Sequence, residues 1–371
     1  MTDIAFYAPM KSPDHPVPSG DRTMAQLLLS ALQTTGFQTN IVSKLRSFEP
    51  SGTPARQAEL KELAIREAED LVAAFHKSGN IPSLWFSYHV YYKSPDWIGP
   101  HVARALNIPY VIAEGSRASK RANGPWALAH QGAEEALDQA DIIFALTRRD
   151  SLSLTEHKPA HQQVLYLPPF LDLSVWPKEP KTRAFTTDKP AQLLTVAMMR
   201  KGDKLASYQQ LAHTLQKVSF PWQLDVVGDG PAHYDVHNLF AQFGSRIHWH
   251  GEIEDKATLA SLYSTSDLMV WPALNEAYGM VFLEAQAFGC PIVAFNNGGV
   301  ADAVLNEETG ILVSGDNIDD FASIITSLIG NPDKRQTLSQ NAREFIRRER
   351  TLEQTAQLLK TALTPLIGAA R

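Results

Sequence analysis

The sequence predicts an α/β protein made of two Rossmann-like, doubly wound domains facing each other across a cleft. Three observations carry this. At 371 residues the chain is too long for one ordinary hydrophobic core and suits two domains. Short apolar runs alternate with longer helical patterns in both halves, the signature of βαβ units around a parallel sheet. Between the halves, the stretch 176–190 holds Pro177, Pro180 and Pro190 with mixed charges and no period, and so reads as a linker.

In the first half, strands are expected at 4–8, 39–42, 84–88, 110–113, 142–145 and 164–167, with helices such as 55–76 and 96–106 between them. The second half repeats the pattern, with strands at 193–196, 224–227, 247–250, 268–271, 292–295 and 311–313, and closes on amphipathic helices near 333–349 and 352–366. The expected division is a first domain over 1–175, the linker 176–190, a second domain over 191–350, and a terminal helix over 351–371 available to pack back on the first domain. Ligands of such sheets bind at the carboxyl ends of the strands, so the chemistry is expected there.

Composition narrows the function classes. No apolar run reaches the roughly 18 to 20 residues that span a bilayer. A net charge of -6, without a stripe of Lys and Arg interleaved with aromatics, argues against a nucleic-acid partner. The single cysteine, Cys290, cannot form an internal disulfide, and the first residues read as a strand rather than a secretory leader. A cytoplasmic setting is expected, with peripheral attachment at the inner membrane face left open.

The most informative segment runs from Trp271 to Pro291. It reads as a strand, a turn with Gly279, a helix starting near Met280, and a Gly289-Cys290-Pro291 stop. The first N–H groups of that helix, at Met280 and Val281 beside Tyr278, lack intrahelical acceptors and suit the diphosphate of a nucleotide sugar. Glu276 stands before the helix and Glu284 lies about 12 Å further along by helical rise, so the two carboxylates reach different hydroxyl pairs of one extended ligand. A capping Glu276 and a solvated Glu284 form the bland alternative.

This segment resembles the Glu-x7-Glu motif of family 4 of the retaining glycosyltransferases, also described as glycosyl transferases group 1, whose fold is GT-B. Gly228-Asp229-Gly230-Pro231, Gly251, Ser266-Asp267, Gly298-Gly299 and Thr309-Gly310 resemble the family's landmarks in order and spacing. The resemblance implies that Glu276 contacts the transferred sugar, Glu284 the ribose hydroxyls, and the loop at Ile253 the base. Ala277-Tyr278-Gly279 stands where the family more often has Gly-Phe-Gly.

Cleaving a sugar diphosphate develops negative charge that must be neutralised. No Asp-x-Asp occurs, so the usual divalent-metal carboxylates of metal-dependent transferases are missing and no metal or other cofactor is expected. Arg200 and Lys204, after the first strand of the second half, resemble the family's diphosphate clamp, with Lys201 as the competing choice. Gly20, at the start of the first helix, permits a second approach to phosphate, while Ser19 or Asp21 is available to cap that helix.

His89 ends the strand near 84–88, where it resembles the family's histidine beside the sugar. An interior histidine satisfied by backbone is the alternative. Glu114 occupies the place where relatives often carry a second histidine. Arg117, Lys120 and Arg121 form a basic loop open to an anionic acceptor group or simply to solvent.

The expected function is a retaining, metal-independent transfer of a hexosyl unit from a UDP- or GDP-sugar to a sugar, glycan or lipid-linked acceptor. Glu276, Arg200, Lys204 and His89 are its expected catalytic residues. Retention by a front-face displacement is implied by the resemblance. A nucleotide-sugar epimerase or hydrolase of the same architecture, and a non-catalytic nucleotide-sugar-binding protein, are the rival readings.

Overall fold

The apolar runs pair as parallel strands in two six-stranded sheets, and the chain divides by contacts into two units, residues 1–168 with 352–371, and residues 169–351. The computed structural model describes residues 2–17, 19–178 and 184–368. Residues 179–183 of the expected linker, Pro18 and the last three residues of the expected terminal helix lie outside the described residues.

The first unit runs β1 (Asp3–Tyr7), α1 (Gly20–Thr34), β2 (Gln38–Ile41), α2 (Pro54–Ser78), β3 (Leu84–Val90), α3 (Gly99–Leu106), β4 (Tyr110–Gly115), α4 (Ala127–Gln139), β5 (Ile142–Ala145), α5 (Arg148–Glu156) and β6 (Gln163–Tyr166). The sheet order is β2-β1-β3-β4-β5-β6, all parallel. Strands β3, β4 and β5 are buried almost throughout, which is why they read as continuous apolar runs. The helix expected from residue 96 starts only at Gly99. Asp96 is buried in the turn before it, its carboxylate accepting the N–H groups of Ile98 and Gly99 and the hydroxyl of Tyr110.

The second unit runs β7 (Ala191–Val196), α6 (Asp203–Leu215), β8 (Trp222–Val227), α7 (His233–Phe240), β9 (Ile247–Gly251), α8 (Lys256–Thr265), β10 (Leu268–Val270), α9 (Met280–Ala287), β11 (Ile292–Phe295), α10 (Val300–Ala303), β12 (Gly310–Val313), α11 (Ile318–Ile329) and α12 (Pro332–Glu349). The order is β12-β11-β10-β7-β8-β9. The final helix, α13 (Leu352–Gly368), returns to the first unit and packs on α1.

Each order has one reversal, between β1 and β3 in the first sheet and between β7 and β10 in the second. Loops leaving the carboxyl ends of strands at such a point diverge to opposite faces and open a crevice. No helix among the described residues is long and apolar enough to cross a membrane.

Candidate functional site

In the second unit the reversal is framed by the loops after β7 and β10. Gly202, with φ +82, starts α6 and puts Lys204 in its first turn. A cation there opposes the positive end of the helix dipole and calls for a counter-ion. Glu276 supplies it: the Lys204 ammonium hydrogen-bonds the Glu276 carboxylate, with both side chains mostly covered. Lys204 also lies 5.7 Å from the ring centroid of the fully buried Trp271.

Several bonds fix this meeting. The Leu274 N–H donates to the Ser207 hydroxyl (3.1 Å), and the Asn275 side-chain amide donates to Asp203 (3.0 Å), tying the loop after β10 to α6. Ala273 and Asn275 hold positive φ of 57° and 50°, a conformation non-glycine residues adopt at a cost of about 1–3 kcal/mol. Behind the loop, the Gly299 N–H donates to the Glu276 carbonyl at 3.2 Å. A side chain at Gly298 would bring its Cβ within 2.1 Å of that oxygen, so this landmark glycine supports the backbone of Glu276.

The loop carrying Arg200 is stitched to the one after β8. The N–H of Ala232 donates to the Met199 carbonyl at 2.9 Å, and the N–H of Met199 to the Asp229 carbonyl at 2.8 Å. A Cβ on Gly228 would lie 2.0 Å from the Ala197 carbonyl oxygen, which accounts for a glycine there. Arg200 and Lys201 are exposed on this turn.

Gly279, at φ +76, precedes α9 and leaves the N–H groups of Met280 and Val281 ahead of the first intrahelical acceptor. Tyr278 is buried and Ala277 exposed. Further along α9, Glu284 accepts the hydroxyl of the fully buried Tyr263 at 2.9 Å. Burial raises the Glu284 carboxyl above its ordinary value, partly offset by Tyr263 and Lys256. Glu284 is therefore a held residue and not a freely solvated one. Ile253 packs against the core from the loop between β9 and α8, whose start is capped by Asp255.

In the first unit the corresponding reversal gathers His89 at the end of β3, Glu114 at the end of β4 and Asp21 in the first turn of α1. His89 Nδ1 lies 3.0 Å from Asp21, and Nε2 lies 3.8 Å from Glu114. Both His89 (φ 63) and Glu114 (φ 62) adopt the left-handed conformation beside the ladder pairs of β3 and β4. Burial opposes charge on the ring, but Glu114, Asp21 and Asp150 outweigh it and push the His89 pKa up to about 9. Asp21 is held below the usual carboxylate range despite its burial, chiefly by His89, while burial raises Glu114. The cluster thus presents an imidazolium at neutral pH. Gly20 starts α1 with open space where a Cβ would stand, and Ser19 caps the helix through the Arg22 N–H.

The structure sets aside two alternatives that the sequence left open. His89 is not satisfied by backbone, because two carboxylates flank its ring. Arg117 is not part of an open basic loop, because it pairs with Glu134 and Asp138 on α4. Three residues escaped notice in the roles they hold: Asp21, considered only as a cap; Glu114, noted only as a missing histidine; and Tyr263, the partner of Glu284. Among the described residues no group of three or more His, Cys, Asp or Glu side chains is placed to hold a metal ion.

Residues 179–345 match the family model described as Glycosyl transferases group 1. The chain is 42% identical over 84 residues to the D-inositol 3-phosphate glycosyltransferase of Rhodococcus jostii (strain RHA1), covering 23% of this chain and 19% of that protein. It is 27% identical over 217 residues to the protein of the same name from Arthrobacter sp. (strain FB24), covering 56% of this chain and 51% of that one. The chain therefore spans from about a fifth to about half of the length of these curated relatives. Among solved structures, sucrose-phosphate synthase from Thermosynechococcus elongatus superposes with a TM-score of 0.76 at 21% identity, covering 100% of both chains. Anabaena HepE in complex with UDP-glucose gives 0.68 at 16% identity, covering 98% of this chain and 100% of that one. At such identities the structural likeness bears on the fold alone. On these matches, residues 179–345 form a glycosyl transferases group 1 domain in a chain whose two parallel sheets make a GT-B-like α/β fold.

Proposed function

We propose that the protein is a retaining glycosyltransferase of family 4 that moves a hexosyl unit from a nucleotide-diphosphate sugar to an acceptor hydroxyl without a metal ion. The observation that carries this reading is the Lys204–Glu276 pair at the β7/β10 reversal, inside the matched domain. Lys204, the exposed Arg200 and the N-terminus of α9 supply positive charge for a diphosphate, and Glu276 accepts from sugar hydroxyls. Glu284, steadied by Tyr263, takes the ribose, and the Ile253 loop takes the base. The name of the curated relatives favours a polyhydroxylated acceptor, and UDP-glucose, the ligand of the HepE structure of the same fold, is the first donor to try.

In this reading the acceptor oxygen bonds to the anomeric carbon on the face from which the diphosphate leaves. The carbon–phosphate oxygen bond breaks with its electron pair, and the acceptor proton passes to the departing phosphate oxygen. His89, charged and fixed by Asp21, donates to a sugar hydroxyl. Gly20 leaves open space for a phosphate at the start of α1 in the first unit. The reaction is assigned to the cytoplasm, in keeping with the single buried thiol of Cys290.

The test is a thermal-shift panel of UDP-, GDP- and ADP-sugars followed by transfer assays with and without acceptors. A bound donor at 100 times its Kd stabilises by about 2.7 kcal/mol, a measurable rise in melting temperature. Free sugar or an epimer formed equally well without acceptor would overturn the transferase reading in favour of a hydrolase or epimerase. Donor binding without turnover across the acceptor panel would favour a binding protein.

A further inference from the structure

The basic loop after β4 divides in the structure. Arg117 is consumed by α4, whereas Arg121 lies over two aromatic rings, 5.3 Å from the centroid of Tyr92 and 5.0 Å from that of Trp126. Lys93, from the turn after β3, lies 5.7 Å from each of the same two centroids. The rings meet edge to face at 5.6 Å. Neither cation has a carboxylate partner among the described residues. Glu49, whose backbone N–H donates to the Lys93 carbonyl, commits its own carboxylate to the N–H groups of Ser51, Gly52 and Thr53.

The platform under the cations is braced. The Trp126 indole N–H donates to the Glu49 carbonyl at 3.4 Å, and Gln57 locks the preceding turn by donating to the Pro125 carbonyl at 2.7 Å while accepting the Ala129 N–H. Backbone bonds in both directions between Tyr91 and Ser94 fix the Lys93 turn. Ring contacts then run without interruption from the platform to the candidate site: Trp126 to Tyr92, Tyr92 to Tyr91 at 5.5 Å, and Tyr91 to His89 at 4.9 Å. Aromatic faces hold the two cations in place electrostatically without neutralising them.

We propose that Lys93 and Arg121, carried on Tyr92 and Trp126, form an anion subsite for the phosphate of a phosphorylated acceptor whose hydroxyl end lies towards His89. This rests on the transferase reading for the word acceptor, but not for the binding of phosphate. Two unpaired cations converging on one platform match a phosphate ester better than a neutral glycan, which offers no charge to either.

The experiment uses the full chain labelled with 5-fluorotryptophan. Its seven tryptophans give a resolvable fluorine spectrum in which Trp126→Phe assigns one line. Inorganic phosphate, glucose 6-phosphate and glucose are titrated at constant ionic strength. The expected result is a saturable shift of the Trp126 line with both phosphates and none with glucose, the ester binding at least as tightly as inorganic phosphate. Lys93→Gln and Arg121→Gln each weaken that binding about fivefold or more, and Lys93→Arg retains it. A shift equally produced by chloride, or unchanged in both Gln variants, overturns the subsite. Tighter binding of inorganic phosphate than of the ester overturns the acceptor assignment. UDP is titrated separately and read at Trp271, beneath Lys204. Silence there counts against the donor reading while leaving the Trp126 result standing on its own.

Discussion

His89 offers the sharpest test of the charge arrangement in the first unit. Its pKa is pushed from 6.5 to about 9, because Glu114, Asp21 and Asp150 together outweigh the cost of burying the charged ring. A rise of roughly 2.5 pH units, at about 1.4 kcal/mol each, corresponds to native-state stabilisation on the order of 3 kcal/mol. The folded chain holds this proton more tightly than the unfolded one. The contribution is therefore fully present below about pH 6.5, declines as pH rises, and is lost once the pH passes about 9. The assay is a carbon-13 NMR titration of the labelled imidazoles, with His89→Gln assigning one of the twelve histidines. Urea unfolding of the wild type and His89→Gln at pH 6 to 10 accompanies it. The His89 midpoint should lie near 9, fall towards 6.5 in Glu114→Gln and Asp21→Asn, and the stability gap between the two proteins should close over the same interval. A midpoint below 7, or a gap independent of pH, would show that the carboxylates do not hold the ring charged.

In the second unit, Lys204→Gln should cut transfer by about a hundredfold or more in steady-state assays and cost on the order of 1–3 kcal/mol in urea unfolding, because it leaves the mostly covered Glu276 without its counter-ion. Glu276→Gln should abolish turnover and leave UDP binding unchanged or tighter by calorimetry, since it removes a carboxylate that competes with phosphate for Lys204. Gly298→Ala should lower the melting temperature and weaken donor binding, because its Cβ would press within 2.1 Å of the Glu276 carbonyl; wild-type behaviour in a thermal melt would count against that role. Tyr263→Phe should weaken UDP binding about fivefold, the value of one hydrogen bond of about 1 kcal/mol, with a smaller effect on 2′-deoxy-UDP. Equal losses for the two nucleotides would mean that Tyr263 does not act through Glu284.

Much of the fold is legible because strands buried on both faces read as unbroken apolar runs, as 292–295 does without a residue's difference from β11. The start of α3 was not, because Asp96 looks like an ordinary polar helix residue until its burial beneath Ile98 and Gly99 is seen. The individual members of the second site stand out in sequence through their motif and glycine landmarks. Their pairing does not, since Lys204 and Glu276 are 72 residues apart and meet only because β7 lies beside β10. Strand order leaves no local pattern. For the same reason Asp21, 68 residues from His89, could be weighed only as a helix cap. Arg117 shows the converse error: a basic run looks uniform in sequence, yet one member is tied to α4 while its neighbour Arg121 lies over two rings.

The two reversals share a further property. Each gathers opposite charges that already satisfy one another, Lys204 with Glu276 in one unit and His89 with Asp21 and Glu114 in the other. A partly buried pair of this kind resists any ligand that removes only one partner, because the other is left charged and poorly solvated. At the second reversal, a free phosphate that draws Lys204 away strands Glu276 beside an anion, and a free sugar offers nothing to Lys204. One ligand carrying both a diphosphate and a hydroxylated ring satisfies both residues at once. Under the proposed transferase reading, the resting ion pair favours the joined donor over its fragments, and the strained loop at Ala273 and Asn275 holds the two partners within reach of the same molecule.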